Sequence, residues 1–372
     1  MRIGGDMRAN GSDFVVLPER EAHRLERDGS PRFRLRAPAH WRSPIAVNPY
    51  AREAESVVLG WLEQLGCTSA EIGRARQFDV AGYVGIPFPS ISRETTIRIA
   101  KHLTLWLLWD DVHVESLEHG WRIEPTHVLE GRRPARLTRF DEGWWQLFSA
   151  LAARRSARWL RDLCDAMITW SDAARAEAIA IDDWSRTGAR PTFEAQLATR
   201  IVTIGMYPTF HLLEDALDHE LPRALHDDPV LAQLKKTSGE IVGLGNDIFS
   251  FGKDLALGRL NLVSTLQHEA DLSGADALER IVRMHDRALE TFDRLAASVG
   301  SWSADEDPWV ARWLEDVRYA SLGFGLWEAR APRYAAHKLV VDGRVVEPSF
   351  VTDEDADFDS RSIRFPIGRR FG

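Results

Sequence analysis

Residues 103–115 read "LTLWLLWDDVHVE". Leu103, Leu105, Trp106, Leu107, Leu108 and Trp109 run straight into Asp110 and Asp111, and Glu115 follows four positions later. The stretch ends a longer helical pattern, "SRETTIRIAKHLTLWLLWDD" (92–111), in which Ser92 stands where a cap belongs and Glu94 falls in the first turn. The later half of that pattern is apolar on every side, which predicts a helix buried all round. On such a helix Asp111 and Glu115 share a face, with Asp110 one step round. Three carboxylates against apolar walls repel one another and raise their own pKa values. A divalent cation relieves the repulsion, and an all-oxygen set favours a hard ion such as Mg²⁺, completed by waters and phosphates. Taken alone, the motif reads equally well as a solvated helix end.

The same periodicity extends in both directions. "AREAESVVLGWLEQLG" (51–66) repeats apolar residues every three or four positions and stops at a glycine. Further helical stretches are predicted at about 141–183, 192–218, 229–256, 273–299 and 306–330, with prolines and glycines mainly between them. Pro208 falls inside one of them and is expected to kink it. The fold class is therefore all-α, a single large helical bundle over residues 41–336. Residues 1–40, polar and Arg-rich, read as a mobile extension. Residues 337–372 read as a tail, in which "VVDGRVV" (340–346) signals a short hairpin. "DEDADFDS" (353–360) starts like a calcium loop, but Phe358 and Arg364 stand where glycine and glutamate are needed, so it reads as a solvated acidic segment.

Bulk composition narrows the class. The 372 residues carry a net charge of −9, which argues against nucleic acid as the main partner. The longest apolar run is about one third of the roughly 20 residues a membrane span needs, so no stable membrane insertion is expected. No signal-like apolar region appears in residues 1–14, and Cys67 and Cys164 lack metal-type spacing; two buried thiols in a reducing cytoplasm are expected. Fourteen tryptophans against five tyrosines point either to a Trp-rich core or to an aromatic-lined pocket.

A second constellation lies at "GNDIFSFGKD" (245–254). Asn246, Ser250 and Asp254 are spaced at i, i+4 and i+8, so an amide, a hydroxyl and a carboxylate line one helical stripe. So weakly charged a set holds a cation best when the substrate adds anionic oxygens. Lys253 beside it suits a diphosphate as a point charge.

Together these residues resemble the class I terpene synthases, in their microbial branch. Asp110, Asp111 and Glu115 match that family's Asp-rich motif as DDxxxE, and Asn246, Ser250 and Asp254 match its Asn/Ser/Glu motif. Arg200 stands 46 positions before Asn246, where the family has a diphosphate sensor, within "PTFEAQLATRIVTIG". "GFGLWEARAPRY" supplies the terminal Arg-Tyr pair as Arg333 and Tyr334. The resemblance covers about residues 41–336. It departs from the family pattern at Asp254 for glutamate, at Ile201 for a second arginine and at Phe324 for asparagine.

What the resemblance implies is ionisation and cyclisation of a prenyl diphosphate with three Mg²⁺ ions. Asp110, Glu115, Asn246, Ser250 and Asp254 would be the metal ligands. Arg200, Lys253, Arg333 and Tyr334 would grip the departing diphosphate, and Asp111 would bond a basic residue such as Arg333. Thr203 and Ile204 would occupy the helix-break positions after the sensor, with Gly205 relaxing the backbone there. Trp106 and Trp327 would face the cation as aromatic walls. A C15 substrate is the first expectation and a C20 substrate the second, with a non-catalytic isoprenoid-binding protein as the rival from another class. A homodimer is left open. A chain-elongating prenyltransferase would need a second Asp-rich motif, and a class II cyclase a D-x-D-D run; neither is present.

Overall fold

The computed structural model describes residues 15–22, 33–114, 125–303, 308–341, 344–354, 356–359 and 363–365. Glu115 lies outside these described residues.

Helices begin where the sequence supplies caps. The Ser92 hydroxyl accepts the Thr95 N–H at 3.3 Å and opens helix Arg93–Trp109. The Asp228 carboxylate accepts the N–H groups of Val230 and Leu231 and opens helix Pro229–Ala256, with its proline in the first turn, where no N–H is required. The other long helices are Ala51–Gln64, Arg139–Ala152, Ala157–Thr187, Gly274–Ser303 and Pro308–Glu328.

Two expected stretches are each two helices. The pattern over 141–183 is interrupted between Ala152 and Ala157, because the Ser156 hydroxyl accepts the Trp159 N–H at 3.1 Å and starts a new helix. The pattern over 192–218 divides into Phe193–Thr203 and Met206–Leu217. Pro208 therefore kinks nothing; it sits in the first turn of the second helix, where its missing donor is harmless.

Helix Pro229–Ala256 runs through the bundle, with nearly every residue from Ile241 to Gly252 buried, and packs against Gly274–Ser303, Pro308–Glu328, Phe193–Thr203 and Met206–Leu217. A side chain at Gly239 would place its Cβ 2.8 Å from the Ile201 carbonyl oxygen, so the glycine lets the backbone of helix Phe193–Thr203 close onto this one. Both readings of the tryptophans hold. Trp41, Trp144, Trp159 and Trp313 are wholly buried in the core, whereas Trp106, Trp170 and Trp327 line a cavity. Cys67 and Cys164 are buried free thiols. Among the described residues no helix is long and apolar enough to cross a membrane.

The two chain ends form two small sheets. Strand β1 (Val15–Pro18) pairs antiparallel with β3 (His337–Val341), which pairs with β4 (Arg344–Val346), the hairpin the sequence signals. Strand β2 (Arg34–Arg36) runs parallel to β5 (Ser349–Val351), and β5 pairs with β6 (Asp357–Phe358). Residues 15–22 and 33–40 are thus not a free extension, and the acidic segment is not simply solvated. Asp353 accepts the Ala39 N–H at 2.7 Å and Asp357 pairs with Arg34 at 2.8 Å. Leu35 and Phe33 are fully buried, and the Phe350 ring lies 5.4 Å from that of Phe249 on the central helix. Leu35→Ala is expected to cost about 2–5 kcal/mol by leaving a cavity. Urea unfolding should show it as a lower midpoint, and an unchanged midpoint would mean that β2 contributes nothing to the fold.

The core carries its own pH dependence. His102 is buried among Trp106, Trp144 and Phe148, and burial pushes its pKa down to about 3. His211 is likewise pushed to about 3, mainly by burial. Both must fold neutral, so the unfolded chain binds more protons below an ordinary histidine pKa and stability falls as pH drops through that value toward the folded one. At pH 5 each imidazole costs about 2 kcal/mol. His102→Leu should shrink the stability lost between pH 7 and pH 5 by that amount in paired denaturant melts; equal losses in both proteins would contradict it.

Candidate active site

A cavity of about 260 Å³ opens among helices Arg93–Trp109, Ala157–Thr187, Phe193–Thr203, Met206–Leu217, Pro229–Ala256 and Pro308–Glu328, and the short helix Pro332–Ala335. Asp110, Asn246, Ser250, Asp254, Arg200, Lys253, Arg333, Tyr334, Thr203, Ile204, Gly205, Trp106 and Trp327 all line it. Four segments far apart in the chain therefore converge on one space.

The aspartates sit on a change of helix geometry. After Trp109 the helix widens into a π turn over Asp110–Val114, a wide turn of the kind frequent at functional sites. The α-helical spacing assumed from Asp110 onward does not hold over Asp110–Val114. Asp110 faces the cavity, while Asp111 pairs with Arg333 at 3.3 Å, the partner expected for it.

Across the cavity the second set is tied into a network. The Arg200 guanidinium donates from Nε to Asp247 at 2.7 Å, from Nη2 to Asn246 Oδ1 and from Nη1 to the Thr203 hydroxyl at 3.4 Å. Burial works against the Arg200 charge, yet the Asp247 carboxylate, with Glu177 and Asp254 behind it, raises its pKa above the ordinary value. Asn246 Nδ2 donates to Glu328 Oε1 at 2.7 Å and to the Tyr334 hydroxyl at 3.2 Å. The Ser250 hydroxyl donates to Asp254 Oδ2 at 2.5 Å, and Asn261 donates to the same oxygen at 2.9 Å. Asp254, one methylene shorter than a glutamate, is thus held beside Ser250 by a fully buried amide.

Two further cations border this pole. The Lys253 ammonium stands 5.2 Å from the centre of the Tyr334 ring, and the Arg333 guanidinium 5.3 Å from the same ring and 5.2 Å from that of Phe78. Burial pushes the Tyr334 phenol up to about 12, against the pull of Arg333. Burial also pushes Glu328 up to about 8, opposed by its bond from Asn246 and by Arg200.

Much of the remaining wall is apolar or aromatic, interrupted by Glu177, Gln196, Thr209 and Arg259. Trp106 meets Trp170 edge to face with centroids 5.0 Å apart; Tyr83 stacks on Trp327 at 4.2 Å; Phe324 meets Tyr83 at 5.9 Å. The helix break is locked into this wall. Gly205 has φ +84°, and a Cβ there would fall 2.8 Å from the six-membered ring of Trp106, so only glycine fits. The Trp170 indole N–H donates to the Thr203 carbonyl at 2.8 Å, satisfying an oxygen that the broken helix leaves without an amide.

Tyr83, Trp170, Glu177, Asp247, Asn261 and Glu328 escape sequence reasoning. Asp247 adjoins Asn246 and could have been suspected; Asn261 reaches Asp254 from beyond the end of its helix, and the others meet the motifs only through contacts distant in sequence.

The donor set suits magnesium in kind. Asp110, Asn246, Ser250 and Asp254 offer hard oxygens only, around a pole rich in cations that would attract phosphate. Among the described residues no three carboxylates, histidines or cysteines gather closely enough to hold a metal by themselves. The amide and hydroxyl oxygens, with substrate phosphates, would have to complete the shell.

An all-α bundle around an apolar cavity with one pole rich in oxygen donors and cations defines a protein built to hold a long apolar anion. Solved structures share the fold. Linalool/nerolidol synthase from Streptomyces clavuligerus superposes with a TM-score of 0.66 over 77% of this chain and 98% of its own, at 21% identity. 2-Methylisoborneol synthase from Streptomyces coelicolor A3(2), solved with Mg²⁺ and 2-fluoroneryl diphosphate, does so with a TM-score of 0.67 over 83% of this chain and 98% of its own, at 19% identity. In sequence, (+)-T-muurolol synthase ((2E,6E)-farnesyl diphosphate cyclizing) of Roseiflexus castenholzii is 25% identical over 305 residues, 79% of this chain and 92% of its own length. The model for terpene synthase family 2, C-terminal metal binding, matches residues 101–291, just over half of the chain. The chain belongs to the terpene synthase family, as its motifs imply.

Proposed function

We propose that this protein is a Mg²⁺-dependent cyclase that ionises farnesyl diphosphate and closes the resulting cation to a sesquiterpene, releasing diphosphate. The observation that carries the reading is that Asp110 lines the same cavity as Asn246, Ser250 and Asp254, together with Arg200, Lys253, Arg333 and several aromatic side chains. The C15 preference draws on the relative that cyclises farnesyl diphosphate.

Each group has work to do. Asp110, with Glu115 from beyond the described residues, would hold metal on one side, and Asn246, Ser250 and Asp254 on the other, for three ions in all. Magnesium bound there would supply Lewis-acid charge neutralisation at the leaving oxygens. Arg200, Lys253, Arg333 and the Tyr334 hydroxyl grip the diphosphate and hold it after the C–O bond breaks. Arg200 also touches Thr203, so engagement of the diphosphate is felt at the Thr203–Ile204–Gly205 break that forms the adjoining wall. Trp106, Trp170, Tyr83 and Trp327 present faces and edges to the hydrocarbon; a well-placed face steadies a nearby cation by ~0.5–2 kcal/mol. Their bulk keeps water from the cation until cyclisation ends.

The test is incubation of purified protein with Mg²⁺ and, separately, the C10, C15 and C20 prenyl diphosphates, with extracts analysed by gas chromatography–mass spectrometry. A cyclic C15 product that disappears with EDTA is expected. Folded protein that yields no terpene from any of the three would overturn the reading, and a product from the C20 substrate alone would transfer it to diterpene formation.

A further inference from the structure

Glu328 is a carboxylate in a cavity that has to receive an anion, and neither the Asp-rich nor the Asn/Ser/Asp motif accounts for it. It lies five residues before Arg333 on helix Pro308–Glu328, is 3% exposed, and lines the cavity. Its Oε1 accepts the Asn246 amide, and its Oε2 is buried without a hydrogen-bond partner. So costly a group calls for a compensating role.

Chemistry fixes the orientation of the amide between its neighbours. Arg200 can only donate, so the oxygen of Asn246 must face it. Glu328 Oε1 accepts from Nδ2, as a carboxylate or through the carbonyl oxygen of the neutral acid, so the nitrogen faces that side. The third neighbour, the Tyr334 hydroxyl, can donate or accept and selects neither orientation. An amide turned through 180° would offer N–H groups, which have no lone pair for a metal. Building on the terpene synthase reading above, we infer that Glu328 is the positioning residue that holds Asn246 with Oδ1 available to magnesium. The bland alternative is a bond that merely staples two helices together.

The two roles separate in a titration. Mg²⁺ is titrated calorimetrically into full-length protein saturated with inorganic diphosphate, for wild type, Glu328→Leu, Glu328→Asp and Glu328→Gln. Outer-shell partners of metal ligands are typically worth about 10–100-fold in metal affinity. Glu328→Leu, which cannot accept, should weaken Mg²⁺ binding by that range. Glu328→Asp, which keeps the carboxylate but draws it back by one methylene, should weaken it by roughly tenfold and answers the question should the leucine variant not fold. Glu328→Gln, whose carbonyl still accepts, should stay within about threefold of wild type. Binding of inorganic diphosphate without metal, which depends on the arginines, should not weaken in any variant, because each either keeps or removes a negative charge beside them. A wild type that binds Mg²⁺ beside an aspartate variant that binds it equally well would overturn the inference and leave the functional reading standing. Glutamine as damaging as leucine would overturn it too. A wild type that binds no Mg²⁺ with diphosphate would remove the functional reading itself, and this inference with it.

Discussion

Asn246→Leu should lower kcat by roughly 10²–10³-fold, the scale for losing one preorganised electrostatic group from a dry site, while the far-ultraviolet circular dichroism stays that of the parent. Leucine has the same branched four-atom side-chain skeleton, so helix Pro229–Ala256 should keep its course. What is lost is the amide that joins Arg200, Glu328 and Tyr334. Glu328 is buried and the other two are half-buried, so the variant should also lose about 1–3 kcal/mol of stability. Asp110→Ala makes the useful contrast. Asp110 is only partly buried on the π turn and should cost as much in turnover but less in stability. Full activity in either variant would sink the assignment of the two facing ligand sets, and a coupled enzymatic assay of released diphosphate is enough to decide.

Arg200→Ala should be worse on both counts. Its guanidinium is the partner of Asp247, 2.7 Å away and almost wholly shielded from solvent. Removing one member of a buried pair leaves the other charge uncompensated, at a cost of about 3–5 kcal/mol. Turnover should be lost as well, because the same side chain faces the diphosphate pole and reaches Thr203 at the helix break. The two losses can be separated. Asp247→Asn in the Arg200→Ala background removes the stranded charge yet keeps an oxygen to accept the Leu262 N–H. The double variant should regain most of the lost stability in thermal melts and none of the turnover. Recovery of activity with stability would mean that Arg200 serves the fold alone.

The helices were legible because burial on a bundle repeats every 3.6 residues and because Ser92 caps where it should; the cap at Asp228 was not anticipated. The set Asn246, Ser250 and Asp254 was legible because its members recur at one helical turn on a single helix, and Asp110 because a long apolar run leads into it. The bond between Asp111 and Arg333 was expected from the family resemblance and is present. What escaped follows from range and from geometry. Glu328 meets Asn246 across 82 residues and Asn261 meets Asp254 across a helix end, so neither leaves a periodic trace. The strands at the chain ends are two to five residues long, and β1 and β2 find partners at the other end of the chain; Asp353 bonds Ala39 over 314 residues. The π turn at Asp110 has no signature in residue type, which is why Asp110 and Asp111 looked like neighbours on one face and instead serve different partners.

The most direct measurement is a crystal structure of the protein grown with Mn²⁺ and inorganic diphosphate, with the ions located by anomalous scattering. The account predicts metal peaks bridging the diphosphate to Asp110 on one side and to Asn246, Ser250 and Asp254 on the other, with Arg200 and Arg333 on the free phosphate oxygens. A bound diphosphate with no metal touching either set, or metal on one set with the other turned away from it, would contradict it.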